Sequence, residues 1–290
     1  MKIFAESPLE NDFAIERIVS ALKKYSPPDF EFVTDKEEAD LVVLYIHGRR
    51  KYAWWDVDKL IKQNKKYIIF QLCVRSTFNP KTEDWFNIWD GAEVVWSYLD
   101  LPKLCAEDGN PVNFRFYRAP LGVDSTVFKE TPGPRKYVAA IHSKGWSKES
   151  FREVATAARA VNKEIVNIGP AKDLGEGIDY TGVVDDQTLA EYYSQSVYVS
   201  GLRRMEGFEM PVIEGLMCGA RPICFDGAHY RDWFEGFAEF IPEDGRDGII
   251  NSLTQLFGRA PAPVTAEEKE AVKERFNWQT IIQNLWEQVA

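Results

Sequence analysis

Two glutamates, Glu206 and Glu214, stand in a stretch that could bind a phosphate. An apolar run ends near residue 200, Gly207 follows, and Pro211 then opens a helix-like run, where proline is favoured in the first turn. The start of a helix offers unpaired N–H groups and a positive dipole end, which attract an anion. Carboxylates beside such a site suit hydroxyl groups, and a nucleotide sugar supplies both phosphate and hydroxyls. The alternative is that both glutamates only complement the helix dipole.

Segment 206–223 resembles the signature of glycosyltransferase family 4, a large group of retaining enzymes with the two-domain GT-B fold. That signature reads E-G-F-x-x-P-x-x-E-x-x-x-x-G-x-P-[VI]. The matching positions in this chain are Glu206, Gly207, Phe208, Pro211, Glu214, Gly219, Pro222 and Ile223. Segments 121–128, 180–193 and 276–278 are similar to the family in the same order. The resemblance therefore extends from about residue 120 onward.

The resemblance implies a donor site in this half of the chain. Glu206 would contact the hydroxyls of the transferred sugar near its reacting carbon, and Glu214 would bind the ribose of the donor nucleotide. The backbone amides of Phe208, Glu209 and Met210 would hold the diphosphate, and Gly207 would join the donor-binding residues. Val183 and Val184 would flank the base, although plain turn packing would explain two valines there as well.

The chain departs from this family in segment 141–148. Members usually carry an arginine and a lysine there, which neutralise the diphosphate. Lys148 fits the lysine position and is expected to take a catalytic role, whereas Ser143 stands near the arginine position. Lys144 would replace the missing guanidinium fork with a point charge, and His142 would join the donor-binding residues. Solvated surface charge is the alternative for both lysines.

The first half of the chain lacks two features of the family. These are the usual glycines of the first loop, segment 6–11, and a histidine after the fourth predicted strand. His47 ends the third predicted strand, where side chains of an open α/β sheet face a ligand, and it is expected to take part in catalysis. The alternative is a structural histidine, which is the more common role of an isolated one.

A basic and aromatic run follows in this otherwise acidic chain. It contains Arg49, Arg50, Trp54 and Trp55. Aromatic faces stack on sugar rings, and a basic, aromatic platform also suits nucleic acid. We expect these four residues to form the acceptor surface. The alternative is an exposed loop followed by a packed helix.

Short apolar runs alternate with helix-like stretches, which predicts an α/β protein with two Rossmann-like, doubly wound domains, the GT-B architecture that the resemblance implies. The N-terminal acceptor domain is expected at 1–122 and the C-terminal donor domain at 123–270, with a linker-like segment at 129–135. Segment 271–290 is expected to form a helix that returns to the first domain. Open α/β sheets bind ligands at the carboxyl ends of their strands, so an interdomain cleft is expected to hold the site.

Composition fits two globular domains. The 290 residues are 45% hydrophobic and 28% charged, a balance typical of soluble proteins. A net charge of −10 repels nucleic acid and anionic membranes unless a local basic patch overrides it. The four cysteines match neither a zinc nor a redox spacing, no apolar run approaches the ~20 residues of a membrane span, and no signal-peptide pattern opens the sequence. We therefore expect a cytoplasmic protein without a transmembrane segment.

These features predict a metal-independent, retaining glycosyltransferase that moves a sugar from a nucleoside-diphosphate sugar to a hydroxyl acceptor, either a glycan or a related small molecule. No cofactor or metal is expected, because no paired acidic motif lies in a suitable loop; Asp185 and Asp186 are more typical of a helix cap. Two alternatives remain open. One is a DNA glycosyltransferase acting on a hydroxylated base, and the other is a non-catalytic protein that binds sugar nucleotides or glycans.

Overall fold

A computed structural model describes residues 1–6, 13–46, 50–72, 88–107, 109, 112–145, 149–172, 174–204 and 208–289, without the side chains of residues 13 and 50–55. The chain divides into two compact units. The first comprises Met1–Gly122 with Trp278–Ala290, and the second comprises Val123–Asn277.

Within the described residues, the first unit contains a six-stranded parallel sheet with the order β2-β1-β3-β4-β5-β6. Its strands are β1 (Lys2–Phe4), β2 (Glu31–Phe32), β3 (Leu41–Ile46), β4 (Lys66–Gln71), β5 (Val94–Ser97) and β6 (Phe116–Arg118). Its first helices are α1 (Phe13–Tyr25), α2 (Arg50–Lys62) and α3 (Leu101–Glu107). β3 and β4 are apolar runs buried along almost their whole length, as central strands covered on both faces must be.

The second unit, over the same described part of the chain, contains another six-stranded parallel sheet, in the order β12-β11-β10-β7-β8-β9. Its strands are β7 (Tyr137–Ile141), β8 (Ile165–Asn167), β9 (Ile178–Tyr180), β10 (Ser196–Gly201), β11 (Arg221–Phe225) and β12 (Glu239–Ile241). The chain winds outward from β7 through β8 to β9, then returns to the other side of β7 with β10. This is the dinucleotide-binding order, whose switch point lies between the first and fourth strands.

Helices connect the strands of the second unit. They are α4 (Phe151–Ala160), α5 (Asp186–Ser194), α6 (Met210–Met217), α7 (Ala228–Phe234), α8 (Arg246–Phe257) and α9 (Ala266–Arg275). Asp185 caps α5 by accepting a hydrogen bond from the Thr188 amide at 2.8 Å, as the sequence predicts. The prediction of two doubly wound parallel sheets is confirmed.

Helix α6 is packed very closely against β10. Pro211 lies in its first turn. Gly219 follows the C-cap residue Cys218 and adopts a φ of 81°, which glycine tolerates best. At Gly215, a Cβ atom would stand 2.3 Å from a side-chain carbon of Val199. Only glycine therefore lets α6 approach the sheet this closely, which fixes the helix start relative to the strand ends.

The last helix, α10 (Trp278–Val289), belongs to the first unit. Its apolar face includes Ile281 and Leu285, which are buried. The Trp286 indole N–H donates to the Ser26 hydroxyl at 2.7 Å, and the ring meets Phe30 edge-on, with 5.0 Å between centroids. The C-terminal end of the sequence thus completes the packing of the N-terminal unit.

Candidate functional site

The carboxyl ends of β7 and β10 meet at the switch point of the second sheet, where open α/β sheets bind ligands. A small open pocket of about 20 Å³ lies there, lined by residues that include His142, Ser143, Glu149, Ser150 and Arg203. This is room for about one water molecule or one ligand oxygen. The pocket is therefore a small, partly polar recess in the crevice and is too small for a whole ligand.

The loop after β7 is held by a buried carboxylate. Glu149 accepts hydrogen bonds from the Ser143 hydroxyl at 2.7 Å and from the Lys144 amide at 2.9 Å. The Ser143 amide donates to the Asn167 side chain at 2.8 Å. Ser143, which stands where the resemblance places an arginine, is 1% exposed. It organises the loop and carries no charge, whereas Lys144 lies at the surface.

Arg203 reaches across the switch point from the end of β10. Its Nη2 donates to the His142 carbonyl at 3.1 Å. Two carboxylates lie near the guanidinium, with Nη2 4.0 Å from Glu149 Oε1 and Nε 3.7 Å from Glu209 Oε2. Arg203 lines the pocket, and the sequence reasoning did not single it out, although a doublet of arginines ahead of Glu206 is a signal in so acidic a chain.

Arg204, the next residue, makes a second set of contacts. Its Nε lies 3.0 Å from Glu243 and its Nη2 lies 3.4 Å from Glu153. The guanidinium also lies over the Phe225 ring, 5.4 Å from the centroid. The two arginines therefore tie the chain that leads to Glu206 to several neighbouring segments.

Glu214 lies in the interior, at the fifth position of α6, and is 1% exposed. Burial, with the Glu214 charge contributing, raises the pKa of the neighbouring Cys218 thiol to about 12. A glutamate that only complements the helix dipole would lie in the first turn and at the surface. The dipole-only alternative therefore fits Glu214 poorly.

The residues that open α6 present their side chains to the protein interior. Phe208 packs against the rings of Phe234 and Phe276, at centroid distances of 5.1 and 5.8 Å, and Met210 is buried as well. Glu209 is the N-cap residue and is 4% exposed. Their side chains therefore pack in the interior, and the donor-binding role of their backbone amides stays a prediction.

His142 and the two valines differ in exposure. The His142 Nε2 is 2.9 Å from the Tyr193 hydroxyl, and the histidine is half-buried. Val183 follows β9 and is 59% exposed, one of few large apolar side chains at the surface among the described residues, while Val184 is half-buried. An exposed apolar side chain beyond a strand end suits the face of a base better than turn packing does.

Several predicted site residues lie outside the described part of the chain. They are Glu206, Gly207, Lys148, His47 and Arg49. The backbone of Arg50, Trp54 and Trp55 lies in α2, and their side chains are outside the description. The roles that the sequence predicts for these residues therefore stay predictions.

Two structural features are absent from the described residues. No helix there is long and apolar enough to cross a membrane. No group of three or more His, Cys, Asp or Glu side chains there could hold a metal ion. The expected independence from metal stays a prediction.

Solved structures share this fold over most of the chain. HepE of Anabaena, in complex with UDP, matches with a TM-score of 0.72 and 12% identity over 99% of this chain and 98% of that chain. Sucrose-phosphate synthase of Thermosynechococcus elongatus matches with a TM-score of 0.69 and 14% identity over 87% and 73%. The pneumococcal O-GlcNAc transferase GtfA, in complex with UDP and GlcNAc, matches with a TM-score of 0.62 and 16% identity over 86% and 56%.

These similarities show the fold. The chain has the α/β architecture of GT-B glycosyltransferases, as predicted. No protein-family model matches the sequence, and no curated protein matches it either. Membership of glycosyltransferase family 4 therefore stays a prediction that rests on the motif around Glu206 and Glu214.

Proposed function

We propose that this protein is a retaining glycosyltransferase that moves a sugar from a nucleoside-diphosphate sugar to a hydroxyl acceptor without a metal ion. One observation carries the proposal: the start of α6 lies beyond β10 at the switch point of the second sheet, where that fold binds nucleotides. The sequence there carries the glutamate pair Glu206 and Glu214. The UDP in the HepE and GtfA structures supports a nucleotide-sugar donor.

The donor would lie along the carboxyl edge of the second sheet. Its base would rest on Val183, whose exposed side chain offers an apolar face, and its ribose hydroxyls would bind Glu214. The diphosphate would accept hydrogen bonds from the backbone amides at Phe208, Glu209 and Met210, as the resemblance implies. Of these, Met210 is the first residue of α6, and the first N–H groups of a helix lack partners within the helix. The sugar would meet Glu206.

Catalysis would depend mainly on stabilising the negative charge of the leaving diphosphate. Negative charge grows on it as the glycosidic bond breaks, and amides and cations fixed beforehand stabilise that charge. Lys144 and Lys148 would supply the positive charge. Positive charge develops on the sugar at the same time, where the Glu206 carboxylate would stabilise it. The acceptor would attack from the face that the diphosphate leaves, and the diphosphate would take the acceptor proton.

The acceptor would be held by the first unit. Arg49, Arg50, Trp54 and Trp55 would offer a basic and aromatic surface to a saccharide. The same surface could take DNA, but the net charge of −10 disfavours a polyanion. Binding to DNA that weakens steeply with salt would favour the nucleic-acid alternative.

A thermal-shift screen tests the proposal. UDP-, GDP-, ADP- and TDP-sugars would each be added to the whole chain, with the corresponding nucleosides as controls that lack the diphosphate. A ligand at 100 times its Kd adds about 2.7 kcal/mol of stability, so at least one nucleotide sugar should raise the Tm clearly more than its nucleoside. Release of the nucleoside diphosphate on incubation with saccharides would then separate an enzyme from a non-catalytic binder. If no nucleotide sugar stabilises the protein, the proposal is wrong.

A further inference from the structure

Arg203 spans the switch point of the second sheet. It follows β10 in the chain, and its Nη2 donates to the carbonyl of His142, which follows β7. The two loops are also joined by the backbone, because the Ser150 amide donates to the Leu202 carbonyl at 3.2 Å. The guanidinium therefore lies between the strand ends that define the ligand crevice of this fold.

Two buried carboxylates orient this guanidinium. The Glu149 and Glu209 side chains are each 5% exposed, while that of Arg203 is 24% exposed. Their nearest distances to it, 4.0 and 3.7 Å, are those of an ion pair and exceed the 2.7–2.9 Å of a direct charge-assisted hydrogen bond. Glu149 also accepts direct hydrogen bonds from the Ser143 hydroxyl and the Lys144 amide, so the same carboxylate holds the loop after β7. The two carboxylate charges thus hold the arginine at the pocket.

A buried hydroxyl stands at the same pocket. Ser150 lines it and is 2% exposed, and its Oγ has no hydrogen-bond partner among the described residues. Ser150 precedes α4, a helix of 10 residues, but its side chain does not cap that helix. Buried polar atoms in native proteins nearly always have partners. A ligand oxygen in the pocket would provide the partner for Ser150.

We infer that Arg203 binds the diphosphate of the donor and that Ser150 donates a hydrogen bond to the same group. The inference rests on the proposed function and assigns two residues that the motif around Glu206 does not include. One phosphate oxygen fits the pocket of about 20 Å³, where the cation, the hydroxyl and the positive end of α4 all favour an anion. Arg203 thereby provides the guanidinium that segment 141–148 lacks, from the opposite strand of the switch point.

Calorimetric titration of the whole chain with UDP and with inorganic pyrophosphate tests this inference. Arg203→Gln should weaken the binding of both by roughly 10- to 100-fold, because hydrogen bonds to charged groups are the strong ones. Arg203→Lys keeps the charge but loses the fork, so it should lie between Arg203→Gln and the wild type. Ser150→Ala should weaken both probes less, by roughly threefold to tenfold. The matched control is Arg259→Gln, which removes a 63% exposed arginine of the same unit and should change neither affinity.

The outcomes separate this inference from the proposed function. If the wild type binds UDP and both Arg203→Gln and Ser150→Ala bind it equally well, the inference is wrong and the proposed function stands. If the wild type binds neither probe and transfers no sugar, both are wrong. Should Arg203→Gln fail to fold, Arg203→Lys and Ser150→Ala decide the question, and wild-type affinity in both would overturn the inference.

Discussion

The two sheets have equivalent switch points with different chemistry. In the first unit the order reverses between β1 and β3, and the Tyr45 hydroxyl donates to the Ala5 carbonyl at 3.0 Å. In the second it reverses between β7 and β10, and the Arg203 guanidinium donates to the His142 carbonyl at 3.1 Å. In each unit, the donor lies in the later strand or just after it, and the acceptor is a backbone carbonyl just beyond the first strand. A phenol bridges the first crevice, and a cation bridges the second.

This difference indicates where an anion would bind. Burial raises the pKa of Tyr45, and the charge of Glu6 raises it further, so the phenol stays neutral at physiological pH. A neutral phenol does not balance a phosphate charge, whereas a guanidinium does so with several donors. Two units of similar topology can therefore take different roles in the proposed transfer, because function depends on the side chains placed on a fold.

The largest expected effect concerns Glu206, in the second unit. Glu206→Gln keeps the shape of the side chain but removes the charge that would stabilise the developing positive sugar. We expect kcat to fall by roughly 10²-fold or more, the scale of losing one preorganised electrostatic contact. Steady-state rates would measure this, and UDP affinity should stay close to that of the wild type. An unchanged kcat would remove Glu206 from the mechanism.

The next effect concerns the acceptor surface of the first unit. Replacing Arg49, Arg50, Trp54 and Trp55 together by alanine should reduce sugar transfer by roughly tenfold or more, since each cation–π or stacking contact contributes about 0.5–2 kcal/mol. Donor affinity should be unchanged, because the donor would bind the second unit. Parallel measurements of transfer rate and UDP affinity check this. Equal losses in both would show that the two units do not divide the work in this way.

A smaller effect is expected at the other switch point. Tyr45→Phe removes the hydroxyl that bonds to the Ala5 carbonyl and should lower the free energy of unfolding by about 1 kcal/mol, with the buried carbonyl left unsatisfied. UDP affinity should not change, in contrast to Arg203→Gln. Denaturant unfolding and calorimetry on the same samples compare the two variants. A Tyr45→Phe protein that lost UDP affinity would contradict the assignment of the donor to the second unit.

The smallest effect is expected on chelation. Transfer activity should be the same with and without EDTA, because the proposed site meets the diphosphate with lysines, an arginine and helix amides. Loss of activity that Mn²⁺ or Mg²⁺ restores would overturn metal independence.

Much of the fold could be predicted from local patterns. Continuous apolar runs marked β3 and β4, and Asp185 marked the start of α5, because burial on two faces and N-capping leave signals within a few residues. The strand orders could not be derived in this way. Alternating strands and helices predict parallel sheets but do not say which side of β7 receives β10.

The candidate site was predictable only in part. The motif around Glu214 is contiguous, so its spacing carries information. The Arg203 guanidinium donates to the carbonyl of His142, 61 positions earlier in the sequence. No local sequence pattern encodes a contact between residues so far apart. The role of Glu149 could not be predicted either. In the sequence, a carboxylate that accepts hydrogen bonds from a loop cannot be distinguished from any other glutamate before a helix.

The central claim is that the second unit binds a nucleoside diphosphate through Glu214. Calorimetric titration of UDP into the wild type, Glu214→Gln and Glu206→Gln tests it most directly, with Glu239→Gln, at a half-buried glutamate of the same unit, as the matched control. We expect Glu214→Gln to weaken UDP binding by roughly tenfold or more, since it loses hydrogen bonds from the ribose to a charged group. Glu206→Gln and Glu239→Gln should bind UDP as the wild type does. Equal UDP affinity in all four proteins, or none in the wild type, would contradict the account.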